Sequence, residues 1–514
     1  MQICFHLIGK IFADAARICG LIFLILTSAM ILSYEDARPQ SLDTLWSGAF
    51  GGTNIDVGHS VNEASDKSLI ITGYTRSFGS LAGRNVWLVK TSREGVLQWM
   101  NTFGGSSDDE GYSVVQTSDG GFAVAGYTSS FGAGGKDVYL VRTDSLGNQM
   151  WSANFGGAQD DEGYSLLQTS DGGFLIAGVS SSFTSGSRDL WLVKTNASGV
   201  IQWSRNHGGL SSDGAWSVEQ SADGGLIVAG WTFSYGPGSV GNAWLVKTDS
   251  AGNLQWHKPF GGTSVDRALD VCLAGGGYAL TGYTSSSGSG LDDMLLIRTD
   301  TLGNEVWTRT FGGSGRDYGQ SITRSSDGNG FLIAGYTLSF GSGSEDAWIV
   351  RTDGNGNVLW SRALGGSASD AANSVHLTYD GGAVVAGYTL SYGAGVHDLY
   401  LIRFAPSGTN IGIGGNENFG TADHFELKQN YPNPFNPATT VSMEIKKTSR
   451  IELVICDILG RNVRTLFRGT LQQGTHTELW NGLNDYGEAL PGGVYYCVLK
   501  SDSYSEAMAM LLLK

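Results

Sequence analysis

Residues 111–157 read GYSVVQTSDGGFAVAGYTSSFGAGGKDVYLVRTDSLGNQMWSANFGG, and the organisation of the chain follows from them. Two β-rich runs, GYSVVQT and FAVAGYT, flank Ser118-Asp119-Gly120-Gly121, which supplies a side-chain acceptor and residues free to take positive φ, as a tight hairpin requires. A glycine-rich loop follows, then DVYLVRT, a turn at 144–148 and a run carrying Trp151. The spacing predicts four antiparallel strands.

The same unit recurs. A tryptophan, three residues, a bulky residue (or His207) and Gly-Gly appear seven times, at Trp46, Trp99, Trp151, Trp203, Trp256, Trp307 and Trp360, spaced 51 to 53 residues apart. One such unit cannot bury its own apolar face, so the period implies stacked copies. Four-stranded units repeated seven times suit a radial array. The segment 44–50 is a lone tryptophan strand, and the seventh unit ends at Phe404 without one. The reading is all-β: a seven-bladed β-propeller over 42–404, its last blade closed by 44–50.

The hairpin Thr-Asp-x-x-Gly-Asn-x-x-Trp, at 143–151, 248–256 and 299–307, resembles the tryptophan-docking hairpin of quinoprotein-type and Asp-box propellers. The whole repeat is similar to glycine-rich propeller repeats of secreted bacterial proteins. The resemblance implies architecture and leaves function open, because many activities use this ring.

Aspartates fall four residues after each Gly-Gly: Asp56, Asp109, Asp161, Asp213, Asp266, Asp317 and Asp370. They are expected to cap their own turns, with a calcium-binding carboxylate ring as the alternative. A second set, Asn85, Asp137, Asp189, Asn242, Asp293, Asp346 and Asp398, is followed five positions later by a base, a pattern expected to tie blade to blade. Where the units differ, beside the first aspartates, stand His59, Glu110, Tyr112, Glu162, Tyr164, Trp216, Arg267 and Tyr318. This mixture of acid, aromatic and arginine on a rim suits recognition of a glycan or a protein.

No catalytic signature accompanies it. Channel-facing positions carry small residues such as Ser113, Ser165 and Ser217, unlike the calcium and base set that a quinoprotein dehydrogenase requires. A sialidase-like reading finds Arg84, Arg267, Arg316 and Tyr318 but only an arbitrary pairing among them. No nucleophile elbow or phosphate loop opening a helix occurs, so glycine here builds turns. The expectation is non-catalytic binding without a cofactor, and the alternative is a carbohydrate-active hydrolase or lyase using Glu110 or Glu162.

Among 514 residues there are 77 glycines, and the net charge of −16 includes no basic stripe, which excludes nucleic acid and anionic membrane surfaces as partners. Lys10 and Arg17 precede an apolar run from Ile18 to Leu32, shorter than the roughly 20 residues needed to span a bilayer. Residues 1–33 therefore read as a secretory signal, with no stable transmembrane segment after processing. Beyond it remain Cys272, Cys456 and Cys497, too few to staple the chain; the last two could pair if their strands are neighbours, or stay buried as thiols.

After 404 the period stops, and 405–423 reads as a linker. Residues 424–514 show strand-like runs at 440–445, 451–458, 475–480 and 493–499, which suit a small immunoglobulin-like β-sandwich. Tyr431-Pro432-Asn433-Pro434-Phe435-Asn436-Pro437, then DILGR at 457–461, GVYY at 493–496 and a final Leu-Leu-Lys resemble the C-terminal sorting domain of type IX secretion cargo. The resemblance implies export by the outer-membrane type IX machinery of Bacteroidetes-like bacteria, and a secreted or cell-surface protein.

Overall fold

The computed structural model describes residues 44–405 and 425–513, except Leu81, Ser185, Ser239, Pro434, Lys446, 457–461 and 502–504. The signal segment, the linker beyond Ala405, Pro434 of the sorting motif and the 457–461 stretch lie outside the described residues. Those residues contain strands and turns and no helix, and they divide into two compact units, 1–407 and 408–514.

The first unit consists of four-stranded antiparallel sheets, seven among its described residues. Six follow chain order, at 56–103, 109–155, 161–207, 213–260, 266–311 and 317–364. In the seventh, Thr44–Phe50 lies beside Asp398–Phe404, followed by Ala383–Thr389 and Asp370–Leu377. The first strands of successive sheets lie side by side, and Asp370–Leu377 lies beside Asp56–Glu63, so the series closes on itself around the first strands.

Burial explains the strand sequences. In the second sheet, Phe122–Thr128 and Asp137–Thr143 are buried at every position, because neighbouring sheets cover both faces, and they read as continuous apolar and small residues rather than as alternation. Gln149–Phe155, at the outer edge, alternates exposed and partly buried residues. In the first strand the pairing slips between Gly111 and Ser113, so Tyr112 has no direct partner. This bulge presses the Glu110 carbonyl onto Gly126, where a Cβ would lie 1.8 Å from that oxygen. Only glycine fits there, and all seven sheets place one at this position.

Tryptophans join the sheets. The Trp99 ring of the first sheet covers the turn of the second at Gly147, which has φ of 81° and whose added Cβ would meet the ring at 2.6 Å. Trp46, on the strand that completes the seventh sheet, covers Gly95 of the first in the same way, and its Nε1 donates to the Arg93 carbonyl at 3.1 Å.

The bases after the second aspartate set depart from expectation. Six of them, Lys90, Arg142, Lys194, Lys247, Arg351 and Arg403, pair with Asp66, Asp119, Asp171, Asp223, Asp327 and Asp380, each in the first hairpin turn of its own sheet. Arg298 donates instead to the carbonyl of Gly275. The pairing is within sheets because the third strand runs back alongside the hairpin that ends in that turn. The second-set aspartates hold the glycine-rich loop: Asp137 accepts from the Ala133 and Gly134 amides at 3.1 and 3.3 Å.

Among its described residues the second unit has two sheets, Phe425–Tyr431 with Thr439–Ile445 and Gly474–Trp480, and Asn462–Leu471 with Ser449–Cys456, Gly493–Ser501 and Ser505–Leu512. They share one core that includes Phe435, Met443, Leu453, Trp480, Tyr495 and Leu499. Phe435 of the Tyr431–Pro437 motif packs its ring 5.3 Å from Trp480. Cys456 and Cys497 sit on adjacent strands as buried thiols.

Candidate ligand-binding site

Each first strand begins with a buried aspartate that fixes the end of the ring where the sheet-to-sheet connections lie. Asp109 accepts from the Gly105 amide at 2.8 Å, from Ser130 Oγ at 2.7 Å and from Thr128 Oγ1. Asp56, Asp161, Asp213, Asp266, Asp317 and Asp370 likewise each accept from the second glycine of their Gly-Gly pair and from a serine hydroxyl. One oxygen of each is thus held by the protein itself, Oδ1 of Asp266 and of Asp370 has no hydrogen-bond partner, and no cluster of three or more His, Cys, Asp or Glu suited to a metal occurs among the described residues.

Two positions per sheet then face the mouth. The residue after the aspartate is Glu110, Glu162, Arg267 or Tyr318 in the second, third, fifth and sixth sheets, and two residues further on comes the bulge residue, which is His59, Tyr112, Tyr164 or Trp216 in the first four. A bulge re-aims its side chain, here toward the bulge residue of the next sheet. The rings meet in sequence: His59 to Tyr112 at 4.9 Å, Tyr112 to Tyr164 at 5.0 Å, Tyr164 to Trp216 at 4.2 Å, and Trp216 to Trp231 at 5.3 Å. Leu269, Gln320 and Asn373 take the bulge position in the other three sheets, so this aromatic arc is one-sided.

The carboxylates are not free rim groups as the sequence suggested. Glu110 is 3% exposed, ion-paired with Arg84, and accepts from Tyr127 at 2.8 Å and Tyr112 at 3.0 Å. Glu162 is held by Arg188 at 2.6 Å, Lys136 at 3.3 Å and the Tyr164 hydroxyl at 2.9 Å. Burial pushes the Glu110 carboxyl up, but the charge of His59 and the bond and charge of Arg84 outweigh it and hold the group below its ordinary value. Burial drives the His59 imidazole down, against Glu110 and with Arg84. Arg84, cationic throughout this range, therefore keeps Glu110 ionised near pH 7.

Tyr318 belongs to a separate group, donating to Asp292 at 2.6 Å and packing against Tyr283 and Tyr336. Arg267 lies over the Phe233 ring at 4.8 Å, paired across strands with Tyr283. Sequence reasoning missed the partners: Lys136, Arg188, Asp292 and Glu345 before third strands, and the aromatic that ends six of the seven second strands, such as Tyr127, Trp231 and Tyr388. The signal was present as two further repeat columns, Arg/Lys/Asp/Glu ahead of the second aspartate set and an aromatic after the bulge-matching glycine.

Below the aromatic layer, six first strands carry serine and the fifth carries Asp270. Ser113 Oγ accepts from the Leu166 amide at 3.2 Å and Ser165 Oγ from the Val218 amide at 3.2 Å, each linking adjacent sheets. Asp270 accepts from Ser217 at 2.6 Å, Ser321 at 3.0 Å and the amides of Val271 and Ile322, both at 2.8 Å. A separate pocket of about 360 Å³, lined by Thr102, Phe131, Tyr139, Gln149 and Asn154, lies away from the mouth.

No family model matches the chain. Among curated proteins, the regulatory protein FlaEY of Caulobacter vibrioides is 30% identical over 190 residues, covering 32% of this chain. The chain spans only 20% of that relative's length. Similar solved structures include a fungal alcohol oxidase of the AA5 family in complex with copper, 11% identical with a TM-score of 0.42, covering 92% of this chain and 100% of that one. PorZ, a surface component of the type IX secretion system of Porphyromonas gingivalis, is 12% identical with a TM-score of 0.33, covering 88% and 64%. The α-L-arabinanase of Penicillium chrysogenum is 8% identical with a TM-score of 0.39, covering 71% and 99%. At these TM-scores the likenesses transfer no residue role and no activity to this chain.

Proposed function

We propose that the chain is a secreted or cell-surface protein whose first unit is a seven-bladed β-propeller that binds an extracellular glycan, without catalysis, at the mouth of its channel. The observation that carries this reading is the Tyr112–Tyr164–Trp216 arc flanked by ion-paired Glu110 and Glu162. Aromatic faces stack on the apolar faces of sugar rings, and the guanidinium and phenol groups that the buried carboxylates hold in place supply directed hydrogen bonds around them. The hydrolase alternative needs a protonated acid near neutral pH, and Arg84 works against that at Glu110.

The domain reading is a signal at 1–33, the propeller at 42–404, a linker at 405–423 and an immunoglobulin-like sorting domain at 424–514. The type IX motif at 431–437 supports export through that machinery. A glycan array probed with the full mature chain is the direct test. Glycan binding without product formation, lost in Trp216→Ala at an unchanged circular dichroism spectrum, is the expected result. Turnover abolished by Glu110→Gln would replace this reading with the hydrolase.

A further inference from the structure

At the mouth, three junctions between neighbouring sheets are joined through one recurrent pair of positions. The first is the residue just before a third strand, and the second is the residue just after the buried aspartate of the next sheet. Arg84 of the first sheet meets Glu110 of the second, and Lys136 of the second meets Glu162 of the third at 3.3 Å. Asp292 of the fifth accepts from Tyr318 of the sixth at 2.6 Å. Glu345 of the sixth reaches the seventh, accepting from Tyr388 at 2.8 Å. Arg188 of the third faces Gly214 in the fourth and turns back to Glu162 within its own sheet.

Between the fourth and fifth sheets the pair is half built. The second position is Arg267, a cation, but the first is Gly241, which has no side chain. The guanidinium lies over that glycine, where an added Cβ would come 1.7 Å from Nη1. Its contacts are the Asp266 carbonyl at 3.1 Å and the Phe233 ring, and the Asp266 carboxylate, bonded through Oδ2 to the Gly262 amide and Ser286, makes no ion pair with it. Among the described residues no carboxylate forms an ion pair with Arg267, whereas Arg84, Lys136, Arg188 and Arg316 at the same mouth each have one. Burial holds the Arg267 guanidinium below its ordinary range, against the pull of Tyr283 and Asp266. It remains cationic, since arginine does not deprotonate in proteins.

Resting on the glycan-binding reading above, we propose that the bound saccharide carries a singly charged oxyanion, a uronate carboxylate or a sulfate ester, and that Arg267 receives it over Gly241. The guanidinium keeps most of its five N–H donors for a forked contact with such a group. Phe233 of the fourth sheet lies against it and Tyr283 is its cross-strand partner on the fifth, while the Trp216–Trp231 pair stands on the fourth sheet, so the same ligand can lay its ring on an aromatic face and its charge on Arg267. The oxyanion would supply the acidic partner that Gly241 does not. A cationic ligand is disfavoured, because Glu110, Glu162 and Asp292 are already engaged by bases or tyrosine hydroxyls.

Calorimetric titration of the full chain with tri-galacturonate and its methyl ester, and with a sulfated disaccharide and its desulfated form, tests the proposal. One charged probe should bind at least about 10-fold tighter than its neutral twin, and which probe does so identifies the oxyanion. Arg267→Gln should reduce that probe to the affinity of the neutral twin. Gly241→Asp should do the same by giving Arg267 an internal carboxylate, and melting curves of both variants confirm folding. Trp216→Ala should abolish binding of charged and neutral forms alike. Equal affinities for charged and neutral probes, with both lost in Trp216→Ala, would overturn the oxyanion and leave the glycan mouth standing. Silence of every probe, joined to a glycan array without binding, would overturn both.

Discussion

Asp270 and Glu219 place two acids on neighbouring first strands. Asp270 replaces a serine and accepts four hydrogen bonds from three adjacent sheets, which offset but do not cancel the upward push of burial on its carboxyl. Glu219, on the neighbouring first strand, is pushed up to about 7 by burial first and by the charge of Asp270 second. A carboxyl raised in this way is neutral in both folded and unfolded chains below its ordinary value, and its contribution is fully present there. That contribution is lost as pH climbs through 7, because the folded protein must then ionise a buried acid beside Asp270. Glu219→Gln should therefore melt with the native chain near pH 4 and exceed its stability by about 2–3 kcal/mol near pH 8. His376, which burial pushes down to about 4, titrates equally in both proteins and cancels in the comparison. Melting curves that differ by the same amount at both pH values would show that Glu219 does not carry a raised pKa.

The contact that joins one sheet to the next is a tryptophan on a turn glycine, and it can be dissected. Trp203 of the third sheet covers Gly252 of the fourth, which has φ of 77° and whose added Cβ would meet the ring at 2.6 Å. Trp203→Ala should cost about 3 kcal/mol, the low end for a large aromatic because the ring is only partly buried. Gly252→Ala should be comparably costly alone, through positive φ and overlap with the ring, but should cost only about 1 kcal/mol in the Trp203→Ala background, where the overlap is gone. Strict additivity in a denaturant double-mutant cycle would refute the docking. This contact also shows what a sequence can convey. The Trp-to-Gly-Gly period and the Ser-Asp-Gly-Gly and Asp-x-x-Gly-Asn turns are local, so the strand order of each sheet was readable. The bulge at Tyr112 is a slip in pairing, visible only as the glycine that accommodates it at Gly126. Arg84 and Asp292 sit at the ends of glycine-rich loops, so spacing alone could not say which acid or base each would meet. In the second unit, Asn462–Leu471 escaped notice because Arg464, Arg468 and Gly469 interrupt its apolar pattern.

Closure is the property of the first unit as a whole, and two separate devices act at the junction of its seventh and first sheets. One is the Thr44–Phe50 strand, which supplies the outer edge of the seventh sheet and sends Trp46 onto the first. The other is a charged clasp centred on Arg93, whose carbonyl also accepts from Trp46 Nε1. Glu63 accepts from the Tyr379 amide and lies 3.5 Å from Arg93 Nε, Arg93 also pairs with Asp380, and Lys67 sits 3.6 Å over the Tyr379 ring. At the matching junctions Gln116 and Gln168 make only the neutral form of this link, accepting from the Ser65 and Ser118 amides, both at 2.8 Å. Among these three junctions the ion-paired form of the link stands where the seventh sheet, completed by a strand from the other end of the unit, meets the first. Removing residues 44–50 leaves Asp398–Phe404 as an unpaired edge of buried-type residues, a template for pairing with another molecule. The truncated protein should associate in light scattering and melt earlier than the intact chain. Adding Glu63→Gln should deepen the loss in melting temperature, since the clasp is then the remaining tie across the gap, whereas the same substitution in the intact chain should cost about 1 kcal/mol or less. A truncated protein that stays monomeric at native stability would show that the first strand does not hold the ring shut.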